Sequence, residues 1–267
     1  MSLASSSWCR PRQGVGTAVR HFDQLFHKTS VRWRGQPRKR LDDYDALDAK
    51  MRIEKAPEDF MKYNIAEMMP HELATSAAMG AKIRIKNDEY WRKMANACRD
   101  AAWGMRPKHV TLVADAFAKV SWRDEQLYRV LAKCVASNVT DYKGVWLAFV
   151  ARSFSKLAYH HGPLFDLIGM EVPKKLDGMH AKGVIMLATS YGDVQHVNGE
   201  ICDSVSHLIK MHPPSWYTQQ HMALVIDAFG NFEQVAPGLH TKYYAMLGAV
   251  MRRLFQLRGE IERDTLC

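Results

Sequence analysis

VADAFAKVSWRDEQLYRVLAKC, residues 113–134, is the stretch whose reading decides the fold, because it recurs along the chain in one fixed register. Moved back 37 residues it meets AMGAKIRIKNDEYWRKMA, residues 78–95. There Lys82 faces Lys119, Ile83 faces Val120, Arg92 faces Arg129, Met94 faces Leu131 and Ala95 faces Ala132. Moving 37 forward from Phe117 reaches Phe154, a further 37 reaches Tyr191, and a step of 38 reaches Phe229. Size, charge and helix-breaking character recur together, which a chance match does not give. A period of this length is the mark of a repeat architecture.

The punctuation recurs as well. Gly162-Pro163, Asn198-Gly199 and Pro237-Gly238 fall at corresponding places, with Arg123-Asp124 in the same slot of an earlier unit. Gly104, Asp141, Gly178 and Ser215 mark the other turn. Breakers at two phases divide each unit into two helical pieces. Val110, Val113, Ala114, Phe117 and Val120 lie on one face of the first piece, and Leu127, Val130, Leu131, Cys134 and Val135 on one face of the second. One hairpin cannot cover two such stripes, whereas stacked neighbours can. The expected fold is therefore all-α, a right-handed α-solenoid of about five two-helix repeats of 37 residues with a C-terminal capping helix. The array spans 70–254, preceded by a lead-in at 41–69 with a short helix near 59–68, and followed by a cap and tail at 255–267. Pro173 and Pro213-Pro214 should end the second helices of the third and fourth units.

Charge is unevenly placed. The chain has 267 residues and a net charge of +9, of which residues 1–40 carry +8. That segment is Arg-rich and nearly free of acids, the composition of a mitochondrial presequence. It is also the composition of a basic arm retained along RNA phosphates, through Arg32, Arg34, Arg38, Lys39 and Arg40. A tail with no role is the third reading. No run of 18 apolar residues occurs, which excludes an ordinary transmembrane helix. Five scattered cysteines without a CxxC pair argue against a zinc module and against a secreted disulfide framework.

The segments VADAFAKVSWRDEQLYRVLAKC, VARSFSKLAYHHGPLFDLIG and VIDAFGNFEQVAPGLHTKYY resemble the heptatricopeptide, or octotricopeptide-like, class of organellar helical-repeat proteins. The resemblance rests on a small-x-small-aromatic first helix, a short turn and an apolar second helix, and it covers about residues 70–254. It implies a mitochondrial or plastid RNA-binding protein, ribosome constituents among them. Many members of that class end in a RAP domain. No room for one follows the repeats here, so the resemblance implies a repeat-only protein suited to a larger particle.

Lys82, Lys119 and Lys156 share one phase near the end of the first helices, where they could contact successive phosphates or simply offset the helix macrodipole. Arg92 and Arg129 form a second matched pair, on second helices. Trp91, Trp103, Trp122, Trp146, Tyr159, Trp216 and Tyr217 could stack on bases or fill hairpin interfaces. His160-His161 and His207/His212 have no metal-site spacing, and no phosphate loop, nucleophile elbow or catalytic carboxylate pair is present. The expectation is a non-enzymatic matrix protein without cofactor, metal or small-molecule substrate. Its expected partners are RNA, ribosomal RNA in the first instance, and neighbouring proteins of a large complex. A structural subunit of the mitochondrial ribosome is the first reading, and a protein–protein scaffold of a respiratory or import complex the alternative.

Overall fold

Pro70 and Pro107 open two helices from the first helical position, where a missing N–H costs nothing and φ is already set. The computed structural model describes residues 64–264, with side chains as far as residue 256. Among the described residues there are ten α-helices and no strand. They are α1 (Pro70–Lys82), α2 (Asp88–Ala101), α3 (Pro107–Lys119), α4 (Glu125–Ser137) and α5 (Gly144–Lys156), then α6 (Gly162–Glu171), α7 (Ala181–Asp193), α8 (Gly199–Met211), α9 (Gln219–Val235) and α10 (Leu239–Asp264). The described residues are all-helical, as the register implied. No helix is long and apolar enough to cross a membrane among the described residues.

The odd helices α1, α3, α5 and α7 each have 13 residues and start 37 apart. Each stops in the same way. Arg84, Ser121, Ala158 and Gln195 take φ of 56°, 58°, 52° and 54°, the left-handed region. The following N–H groups of Ile85, Trp122, Tyr159 and His196 donate at 3.0 Å to the carbonyls of Gly80, Phe117, Phe154 and Tyr191. This is a Schellman turn made four times without glycine. Three residues later Asn87, Asp124, His161 and Asn198 accept a backbone N–H from Tyr90, Leu127, Leu164 and Ile201, capping the even helices. A left-handed β-carbon costs roughly 1 kcal/mol. Ala158→Gly, at an exposed turn, should therefore raise stability by about 1 kcal/mol, less glycine's larger entropy loss, which a urea titration resolves.

Packing follows the same register. α1 packs on α3, α3 on α5, α5 on α7 and α7 on α9, and the even helices meet in the same succession. The odd helices approach closely because one position holds only small buried residues, Ala116, Ser153, Ser190 and Ala228. At α7 and α9 the contact is between backbones: a Cβ on Gly192 would lie 2.8 Å from the Cα of Ala228. In α1 the same position is Met79, 40% exposed, with no described odd helix before it. Across the layers an aromatic ladder repeats. Trp91 meets Phe117, Tyr128 meets Phe154, and Phe165 meets Tyr191, all edge-on with centroids 5.2, 4.8 and 5.0 Å apart. Such pairs add about 0.5–1.5 kcal/mol beyond their burial. Phe117, Phe154, Tyr191 and Phe229 are all fully buried.

The links are fixed by polar brackets. Lys175 donates from Nζ to the carbonyls of Val139, Thr140 and Tyr142, tying the turn after α6 to the turn after α4. Pro173 and Pro213-Pro214 do follow helix ends, at Glu171 and Met211. The lead-in shows one 3-10 turn at Ile65–Glu67, and the rest of the helix expected near 59–68 lies outside the described residues. α9 continues through Gly230-Asn231, the region that matches the ends of α5 and α7 in the register, to Val235, just before the expected break at Pro237-Gly238. Glu233 holds that extra turn by accepting the N–H groups of Gly238 and His240. The boundary drawn at 254 falls inside the unbroken α10.

Candidate nucleic-acid interface

Each odd helix packs against its neighbours and leaves one stripe outward. On α3 the stripe is Lys108, Leu112, Asp115 and Lys119, and on α5 it is Val145, Phe149, Arg152 and Lys156, spaced i, i+4, i+7, i+11. In the same register α1 offers His71, Thr75, Ala78 and Lys82, α7 offers Lys182, Thr189 and Asp193 with Met186 buried between them, and α9 offers Gln220, Leu224, Asp227 and Asn231. Side by side, these stripes make columns across the odd-helix layer. The second column is apolar from α3 onward, with Leu112, Phe149 and Leu224 half-buried and Met186 fully buried. The last contains Lys82, Lys119 and Lys156, the final residues of three odd helices packed in succession.

The columns touch where side chains reach across. Lys182 Nζ lies 5.9 Å from the Phe149 ring centroid, and an Arg152 guanidinium nitrogen lies 4.0 Å from Met186 Sδ. Lys143, just before α5, stands 5.4 Å over Trp146. The face thus has cations along both margins and an apolar, ring-bearing strip between them. Acids interrupt it at Asp115, Asp193 and Asp227. Asp115 binds Lys119 at 3.0 Å, so that lysine is partly neutralised.

The helix starts are electropositive in a way helices usually avoid. The first turns of α3, α5, α7 and α9 contain no acid, although an acid there would offset the macrodipole. Around them stand Arg106, Lys108, Lys143 and Lys182. The histidines there record the local field. His109 is held below the usual imidazole range by partial burial and then by His71, Arg106 and Lys108. Burial lowers His221 too, with Lys182 adding to it.

The other candidates separate cleanly. Arg92 and Arg129 are exposed on α2 and α4, outside the odd-helix face. Arg32, Arg34, Arg38, Lys39 and Arg40 lie outside the described residues. Trp91 is core, its indole N–H donating to the Ile85 carbonyl at 2.8 Å, and Tyr217 is core as well. Trp122 and Tyr159 are half-buried at the Schellman turns, Tyr159 lying 5.8 Å from Phe154. Trp103 and Trp216 are exposed, 62% and 46%, in the turns after α2 and α8. Sequence reading missed Lys108, Lys143, Phe149, Arg152 and Lys182. Their signal was available, since 108, 145 and 182 share the 37-residue register, but the lysines alternate with Val145.

Cys98 and Cys202 are buried thiols, each pushed up to about 12 by burial, and so stay protonated and unreactive at neutral pH. Compared with known proteins, the chain matches no family model and no curated protein.

Proposed function

We propose that the chain is a right-handed α-solenoid of five helical hairpins, closed at its C-terminal end by the long α10, that holds single-stranded RNA against its odd-helix face. The observation that carries this reading is the arrangement of that face. Phosphates need cations at the margins, and unpaired bases need apolar or aromatic surface between them. Lys82, Lys108, Lys119, Arg152, Lys156 and Lys182 serve the first need. Leu112, Trp146 and Phe149 serve the second. Arg92 and Arg129 stand on the second helices, outside this face, and take no part in the proposed track.

Location and assembly follow from the sequence. The Arg-rich, acid-poor start supports a mitochondrial address, and the resemblance to organellar repeat proteins supports a structural, non-enzymatic subunit of the mitochondrial ribosome, touching RNA on one face and proteins elsewhere. The test is fluorescence anisotropy with a labelled single-stranded RNA against increasing salt. Binding is expected to weaken linearly on a log–log scale, with a slope of roughly −0.7 per phosphate engaged. A salt-independent signal, or none, defeats the RNA reading.

His109 supplies an independent readout. Burial is the main cause of its depressed proton affinity, and a phosphate placed near Arg106 and Lys108 offsets the further part that those charges add. On RNA binding the His109 titration midpoint, followed by NMR, is expected to move up, and RNA affinity to rise as pH falls toward 6. A midpoint unmoved at saturating RNA would place the RNA elsewhere.

A scaffold is the second reading, favoured by a different surface. Met69, Trp103, Met211 and Trp216 are 59%, 62%, 67% and 46% exposed, beside or within the turns that lead into odd helices. Large apolar side chains in such turns suit protein neighbours. Co-purification with membrane complexes and no RNA would favour it.

A further inference from the structure

The hairpin turns bring together two histidines that sequence spacing kept apart. His160 follows the Schellman turn of α5, and His196 occupies that turn in α7, one repeat later. His160 Nε2 and His196 Nδ1 face each other at 3.1 Å. On its far side His196 Nε2 meets Asp166 Oδ1 at 2.8 Å. A carboxylate only accepts, so Nε2 carries the proton and Nδ1 presents its lone pair to His160.

We propose that His160 and His196 form a two-imidazole chelate for a divalent late transition ion of the zinc class, with Asp166 as the orienting carboxylate. The dimensions suit it. Bonds of about 2.0–2.1 Å place two zinc-bound nitrogens roughly 3.0–3.4 Å apart across ordinary bond angles. The ion takes the place of the proton between the rings, and His160 carries its proton on Nδ1 instead, so no net proton is released. Asp166 supplies the second-shell hydrogen bond that fixes tautomer and raises ligand basicity.

The pair is preorganised from below. Phe165 lies 5.8 and 5.7 Å from the two imidazole centroids, and Tyr191 lies 5.8 Å from His196. Phe165 and Tyr191 are fully buried. The backbone N–H of His196 is tied to Tyr191, and that of Tyr159, beside His160, to Phe154. His160 itself is exposed, which leaves an open approach. Among the described residues no group of three His, Cys, Asp or Glu side chains is arranged around an ion. Water therefore completes the shell, and the ion is exchangeable rather than structural. An ion there staples the third hairpin to the fourth.

The test is calorimetric titration of zinc chloride into the full chain at pH 7.5, with melting curves beside it. The unsubstituted protein is expected to bind one equivalent above the weak background of its other histidines, and to melt higher with zinc. His160→Ala and His196→Asn each should weaken that equivalent at least tenfold and abolish the thermal gain. Asp166→Asn should weaken it roughly tenfold or more. His207→Ala, an exposed histidine on α8, should change nothing. Because His160 is at the surface, His160→Ala without zinc should melt like the parent. Zinc binding unaltered by His160→Ala, or reduced equally by His207→Ala, overturns the proposal and leaves the pair a hydrogen-bonded strut.

Discussion

Phe154→Ala is expected to lower the unfolding free energy by about 3–5 kcal/mol. Phe154 is fully buried and packs edge-on against Tyr128 and near Tyr159. It therefore joins the second hairpin to the third, and its own helix α5 sits between α3 and α7. In a stack where each unit touches only its neighbours, stability is a sum of unit and interface terms. A cavity at a central interface weakens the coupling of everything on either side. Urea unfolding should accordingly lose cooperativity, showing a shallower or two-step transition. Met79→Ala is the matched comparison: the same layer, but a side chain 40% exposed at the first described odd helix. Its effect should stay below about 1 kcal/mol. Equal losses at the two positions would mean the helices unfold as one globule and not as an array.

The register that predicts this was legible because burial imposes it. A position that faces a neighbouring hairpin must be apolar in every unit, so Leu73, Val110, Leu147, Val184 and Met222 recur, all buried. Turn chemistry was less legible. The rule for ending a helix looks for glycine, but these turns use Arg84, Ser121, Ala158 and Gln195 in the left-handed region. The C-terminal anchor of each turn is instead the residue three places past the helix, and Trp122 and Tyr159 read as possible contact residues when their backbone role is to close the Schellman bond. The cap series Asn87, Asp124, His161, Asn198 was open to view, and only the unusual histidine obscured it. The break at Pro237-Gly238 was legible and α9 ends just before it, but the extra turn past Asn231 was not, since Glu233 sustains the helix through contacts with residues five and seven positions ahead.

The candidate face was legible by halves. Lys82, Lys119 and Lys156 stand out because one residue type repeats. The opposite margin repeats only in position, and lysine appears in α3 and α7 but not in α5, where Lys143 lies two residues earlier. The histidine pair escaped for another reason. Sequence motifs for metal ligands look for neighbours on one helix, whereas His160 and His196 are 36 residues apart and meet because consecutive hairpins stack their turns. Contacts between repeats become visible only when the register is read across units as well as along them.

That cross-unit reading makes the second large prediction specific. Reversing Lys108, Arg152, Lys156 and Lys182 to glutamate together should weaken single-stranded RNA binding by roughly two to three decades at 0.1 M salt. Each cation released from a phosphate contributes about 0.7 to the salt slope on a single strand, so the slope should fall by nearly 3. All four side chains lie on the outward stripes of α3, α5 and α7, so the fold should tolerate the changes, and melting temperature checks that. The control is Arg92→Glu with Arg129→Glu, which alters charge on α2 and α4, away from the odd-helix face. Long-range attraction alone would respond to net charge wherever it sits, and at 0.15 M salt it decays over about 8 Å. Contact with phosphates responds to position. Taken per charge reversed, loss confined to the odd-helix variant places the strand against Leu112, Trp146 and Phe149. Phe149→Ala should then cost a further roughly 1–3 kcal/mol of stacking with little change in slope. Equal per-charge loss in the control would mean attraction without a track, and the odd-helix face would no longer be the binding surface.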